Sequence, residues 1–86
     1  MVRMMISYDT EAQAYYLTLT DAEVDRTIHV SDWVFVDVDT EGGAVGIELL
    51  AAPTALNDQE KEELFRRFPE AVPALSELER LMPLSA

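Results

Sequence analysis

Residues 33 to 50 read W-V-F-V-D-V-D-T-E-G-G-A-V-G-I-E-L-L, two alternating apolar runs joined through Gly42 and Gly43. Alternation with period two marks a strand with one buried face, and glycines between two such runs predict a β-hairpin. A two-residue loop at Glu41 and Gly42 sets Val38 opposite Val45, Val36 opposite Ile47 and Val34 opposite Leu49, one unbroken aliphatic face. A four-residue loop keeps that register. A three-residue loop would put Val34 against Glu48 and Val36 against Gly46, so the pattern argues for an even-numbered connection.

Working outward, residues 3–8 and 14–19 are short runs rich in aromatic and β-branched residues, separated by D-T-E-A-Q, and predict a first hairpin. Alternation turns Leu17 and Leu19 to the core and Tyr16 away from it. Residues 26–30 follow a polar stretch, with Ile28 and Val30 inward and His29 outward, and Ser31-Asp32 turns the chain into the central hairpin. No connection is long enough for a crossover helix, so the five strands are expected to form an antiparallel meander.

Beyond Leu50 the pattern changes. Residues 51–56 are a connector containing Pro53, after which Asn57 or Asp58 caps D-Q-E-K-E-E-L-F-R-R-F, with acids in the first turn and Arg66 and Arg67 in the last. Leu64, Phe65 and Phe68 form the apolar stripe of this helix, and Pro69 ends it. Pro73 can open a second helix, with Val72, Leu75, Leu78, Leu81 and Met82 at spacings of three and four, closed by Pro83. The expected architecture is α+β: a sheet over 1–50 and helices over 57–82 packed on it, in one domain covering residues 1–86.

Composition narrows the function. The 86 residues carry 17 acids against 6 bases, a formal net charge of -11, which argues against nucleic-acid binding. Residues 1–56 hold 10 of the acids and only 2 bases, so the sheet half is the negative part and its field would attract a basic partner. The chain has no cysteine, which excludes disulfides, thiolate metal sites and a cysteine nucleophile and fits a reducing cytoplasm. The N-terminal M-V-R-M-M-I-S-Y-D has only a short apolar run before Asp9, so neither a signal peptide nor a membrane span is expected.

Y-D-T-E at 8–11, A-Y-Y-L-T-L at 14–19 and D-V-D-T-E-G-G-A-V-G-I-E-L-L at 37–50 resemble the small prokaryotic domain-of-unknown-function 2283 family. The family pattern at these positions runs Y-D-x-E, then L-Y-I, then D-x-D-x-x-G-x-x-x-G-I-E-x-L. The resemblance spans about residues 4–52 and leaves the helical tail uncovered; the chain departs from it at Ala14, where a leucine-like residue is usual, and in its long acidic tail. It implies a small sheet domain with no established activity and, for some members, small basic toxin-like proteins as neighbours, which fits an acidic partner.

The residues themselves carry little catalytic chemistry. Asp37 to Gly42 followed by Glu48 approaches a calcium-loop pattern, but strand periodicity before and inside the segment denies it the flanking helices an EF-hand needs. Asp37, Asp39 and Glu48 are near one another in the hairpin register and could hold a hard cation or serve acid-base work; this is the alternative, enzymatic reading. The bland reading of the same residues is a solvated acidic face beside a turn. His29 is the only histidine, so no multi-histidine site can form, and no serine is spaced to complete a triad with it. No catalytic residue, metal or cofactor is therefore assigned, and Gly46 reads as close packing or a bend.

The second sheet face is more informative. Trp33, Phe35 and Leu50 point away from the valines, with Tyr16 beside them, so both faces carry apolar groups while two narrow helices can cover only one. If the helices divide between the faces, a monomer results. If they share the valine face, the other face must meet a second copy of the chain or a different protein. The leading expectation is thus a non-catalytic interaction module, a homodimer or the acidic partner of a basic protein, with Tyr16, Trp33, Phe35 and Leu50 as anchors and Asp37, Asp39 and Glu48 as a charged rim.

Overall fold

The computed structural model describes residues 5–50 and 56–81. Strands β1 (Met5–Asp9), β2 (Ala14–Thr18), β3 (Arg26–His29), β4 (Val34–Val38) and β5 (Ala44–Leu49) form one sheet, followed by helices α1 (Asp58–Arg67) and α2 (Ala71–Leu81). Every strand pair is antiparallel, so the α+β class with five antiparallel strands and two C-terminal helices is as expected. The expectations that fall on Arg3, Pro53, the Leu81 side chain, Met82 and Pro83 lie outside the described residues.

The strand order is β1-β2-β5-β4-β3, which departs from a strict meander at one step. β2 and β3 are consecutive in the chain but not in the sheet; β5 inserts between β2 and β4, making β2 to β5 a Greek key. Burial supplies the reason. β5 is buried at every position but Glu48, whereas β3 is exposed at all but Ile28. A meander would place β3, the poorest strand in apolar residues, at the centre; the observed order gives the centre to β5 and leaves β3 on an edge, where water can solvate one side. The β2–β3 connection crosses the strand ends to do this. Leu19 N and Thr20 N donate to Val45 O at 2.8 and 3.2 Å, and Asp25 N then donates to Val38 O at 2.7 Å.

The central hairpin reaches its expected register by an unexpected route. Val34 pairs with Leu49 and Val36 with Ile47, but Val38 meets Ala44 rather than Val45. Gly42 N donates to Asp39 O (3.1 Å) and Asp39 N to Gly43 O (3.0 Å), so Thr40, Glu41 and Gly42 form a three-residue loop, with Gly42 at φ 85°. That left-handed conformation is open to glycine and closes this loop type with a bulge. The odd loop would displace the valines, and a second irregularity cancels it: Val45 is left extra on β5 between the Ala44 and Gly46 pairs. The even-loop argument is thus corrected. Burial of the valines governs the register, and the bulge absorbs the residue that the turn adds.

α1 begins where Asn57 caps it: Asn57 Oδ1 accepts from Glu60 N at 2.7 Å while Glu60 Oε1 accepts from Asn57 N at 3.0 Å, a reciprocal capping box. α2 begins at Ala71, two residues before Pro73, which is tolerated inside the first turn because no N–H is needed there. Its buried stripe is Ala71, Ala74, Leu75 and Leu78, and Val72 is exposed instead of inward.

Leu64, Phe68, Leu75 and Leu78 join Leu17, Val34, Val36, Val38, Ile47 and Leu49 in one buried cluster, so both helices lie on the valine face. Burying each leucine contributes about 1.5–3 kcal/mol. The Lys61–Glu79 ion pair that links the helices is about a third exposed at each partner and contributes at most about 1 kcal/mol. Apolar contact therefore decides where the helices dock. A contact from the α1–α2 turn helps locate the hairpin: Glu70 Oε2 accepts from Ala44 N at 3.0 Å beside the bulge.

Candidate functional site

With the helices on one side, alternate residues of the strands face the other. Register places Ser7, Tyr16, Glu48, Phe35 and His29 in one row across the five strands, and Thr18, Gly46, Asp37 and Thr27 in the next. Glu48, on the central strand, is therefore in the middle of this open face, flanked by Tyr16 and Phe35.

Gly46 lets the face close on itself. A Cβ at Gly46 would lie 2.1 Å from the Tyr16 hydroxyl oxygen and 2.5 Å from its Cζ, so the phenol lies directly over the glycine. This is the close packing that Gly46 suggests in the sequence, and only hydrogen allows it. Crossing Gly46, the Tyr16 hydroxyl donates to Asp37 Oδ2 at 2.6 Å, and from the other side the Thr27 hydroxyl donates to Asp37 Oδ1 at 2.5 Å. Three strands are thereby bridged through one carboxylate. Phe35 stacks on His29, with ring centroids 4.3 Å apart.

These contacts set the electrostatics. The Tyr16 phenol is pushed well above its ordinary pKa of 10.0, first by partial burial, then by its hydrogen bond to Asp37 and the negative charges of Asp37 and Glu48. It therefore stays protonated as a hydrogen-bond donor and is unsuited to act as a base or nucleophile. The Glu48 side chain makes no hydrogen bond or ion pair with a described residue, though the residue is half-buried.

Of the seven residues singled out by sequence, Tyr16, Phe35, Asp37 and Glu48 are brought together. Trp33 and Leu50 border them at the β3–β4 end; Trp33 is half exposed in the turn rather than on the strand, and its carbonyl accepts from Leu50 N at 2.8 Å. Asp39 is elsewhere: its Oδ1 accepts from Glu41 N and Gly43 N, both at 2.9 Å, tying it into the hairpin turn. The three carboxylates of the enzymatic reading thus do not converge, and among the described residues no group of three or more acidic or histidine side chains is placed to hold a metal. Glu48 is also central rather than on a rim. Thr27 is the member of this face that the sequence does not single out, because its bond to Asp37 depends on β3 pairing with β4 there, and alternation alone signals only that it faces outward.

The family model described as a protein of unknown function (DUF2283) matches residues 5–52. The chain belongs to that family. The DUF2283 match covers all five strands and therefore the whole open face, while α1 and α2 lie beyond it. No curated protein and no solved structure matches the chain. Among the described residues no helix is long and apolar enough to cross a membrane.

Proposed function

We propose that this DUF2283 chain is a non-catalytic protein-association module working through its open sheet face. The observation that carries the reading is the one-sided placement of the helices: the core cluster takes both of them, and Tyr16, Phe35 and Leu50 stay half-buried with Trp33 half exposed beside them. Aromatic groups gathered on a sheet face that no described element covers are the composition of a binding surface. The engagement of Asp39 in its own turn, away from Asp37 and Glu48, favours recognition over turnover.

The test is photo-crosslinking of the full chain in its native cells. A benzophenone side chain replaces Thr27 or His29 on the open face, or Glu62 on the exposed side of α1 as control. Discrete protein adducts from the face positions and none from the control are expected. No adduct from either face position would overturn the association reading.

A further inference from the structure

We infer that the open face receives a cationic polypeptide segment, with an arginine side chain set against Glu48 between Tyr16 and Phe35. The inference rests on the association reading and adds the chemistry of the occupant. Charge complementarity carries it. Asp37 is held by two hydroxyl groups, which satisfy its oxygens without neutralising it, and Glu48 has no partner among the described residues. The described lysine and arginine side chains are engaged elsewhere, Arg26 with Asp25, Lys61 with Glu79, Arg66 and Arg67 with Glu63, and Arg80 with Glu77, and His29 is stacked on Phe35. The middle of the face therefore presents two carboxylates with no described cation to balance them.

The aromatic groups select among cations. A guanidinium is planar, pairs with a carboxylate through two parallel N–H groups and stacks on ring faces, whereas an ammonium is a compact, strongly hydrated point charge. Glu48 with Tyr16 on one neighbouring strand and Phe35 on the other suits the former. A second copy of the chain fits less well. The net charge of -11 repels it, and a twofold axis through the middle of the face would bring the two Glu48 carboxylates toward each other.

The probe is a short peptide alternating glycine and arginine, titrated into the isotopically labelled full chain and followed by amide NMR shifts, alongside the same peptide with citrulline or lysine in place of arginine. We expect the arginine peptide to shift the signals of Tyr16, Phe35 and Glu48, the lysine peptide to bind several-fold more weakly, and the citrulline peptide not to bind. Glu48→Gln should weaken binding roughly tenfold or more, whereas Glu62→Gln, which removes the same charge from an exposed helix position, should change it less than about twofold. Phe35→Leu should erase the preference for arginine over lysine.

Equal losses in Glu48→Gln and Glu62→Gln would overturn the inference, since the overall field alone would then explain binding. Equal binding of the citrulline peptide would remove charge as the basis. Concentration-dependent shifts of the same signals without peptide would make a second copy the occupant. The last two results overturn the arginine assignment and leave the association reading standing, whereas that reading falls only with the crosslinking result.

Discussion

The two faces of the sheet are made from alternate residues of the same strands, yet they are held by different forces. On the covered face Val34, Val36, Val38, Ile47 and Leu49 are wholly buried beneath two helices, and many interchangeable apolar contacts share the load. On the open face a few directional bonds do the organising: Tyr16 and Thr27 converge on Asp37, and the absence of one side chain, at Gly46, makes room for them. A charge should therefore cost far more on the covered face than on the open one. On the open face the costliest change should be one of shape, at its one crowded point, Gly46.

The most damaging test of that contrast is Val36→Asp. Val36 has no exposed surface, and an unpaired carboxylate there should cost about 4 kcal/mol or more and leave the chain unfolded by circular dichroism. A folded, soluble Val36→Asp protein would show that the valine face is not the core.

Gly46→Ala comes next, with an expected loss of about 1–3 kcal/mol in chemical denaturation, because the added carbon collides with the Tyr16 phenol. In a Tyr16→Ala background most of that loss should disappear. Equal losses in the two backgrounds would mean that Tyr16 does not lie over the glycine.

Tyr16→Phe, which removes only the hydroxyl, should lower stability by about 1 kcal/mol near neutral pH. The sign of its pH dependence follows from the raised pKa. The folded state holds the phenolic proton more tightly than the unfolded state, so the contribution is complete below the ordinary value of 10.0 and is lost as pH rises beyond it. The stability difference between wild type and Tyr16→Phe should therefore shrink between about pH 9 and pH 11. A constant difference across that range would argue against the Tyr16–Asp37 bond. The smallest effect is expected at the exposed loop tip, where Thr40→Ala should stay within about 0.5 kcal/mol of wild type by the same denaturation measurement.

The candidate site was partly readable from the sequence. Strand periodicity places Tyr16, Phe35 and Glu48 away from the valines, and a glycine in an apolar strand announces a close approach at Gly46. Thr27 and the engagement of Asp37 were not readable, because they depend on which strands become neighbours. The same applies to Asp39, whose carboxylate is taken by the backbone of its own turn.

Local patterns and polarity were enough to determine five strands, a capped first helix and a second one after it, the pairing of Val34 and Val36 with Leu49 and Ile47, and the negative charge of the sheet half. These follow from alternation, capping chemistry and ionisation, which act over a few residues. Tertiary structure alone decided that β5 rather than β3 takes the centre, that a three-residue loop and a bulge at Val45 cancel, and that both helices share one face. Each of these is a competition among distant segments for the same buried surface. Its outcome depends on total apolar area removed from water, a quantity that no local window contains.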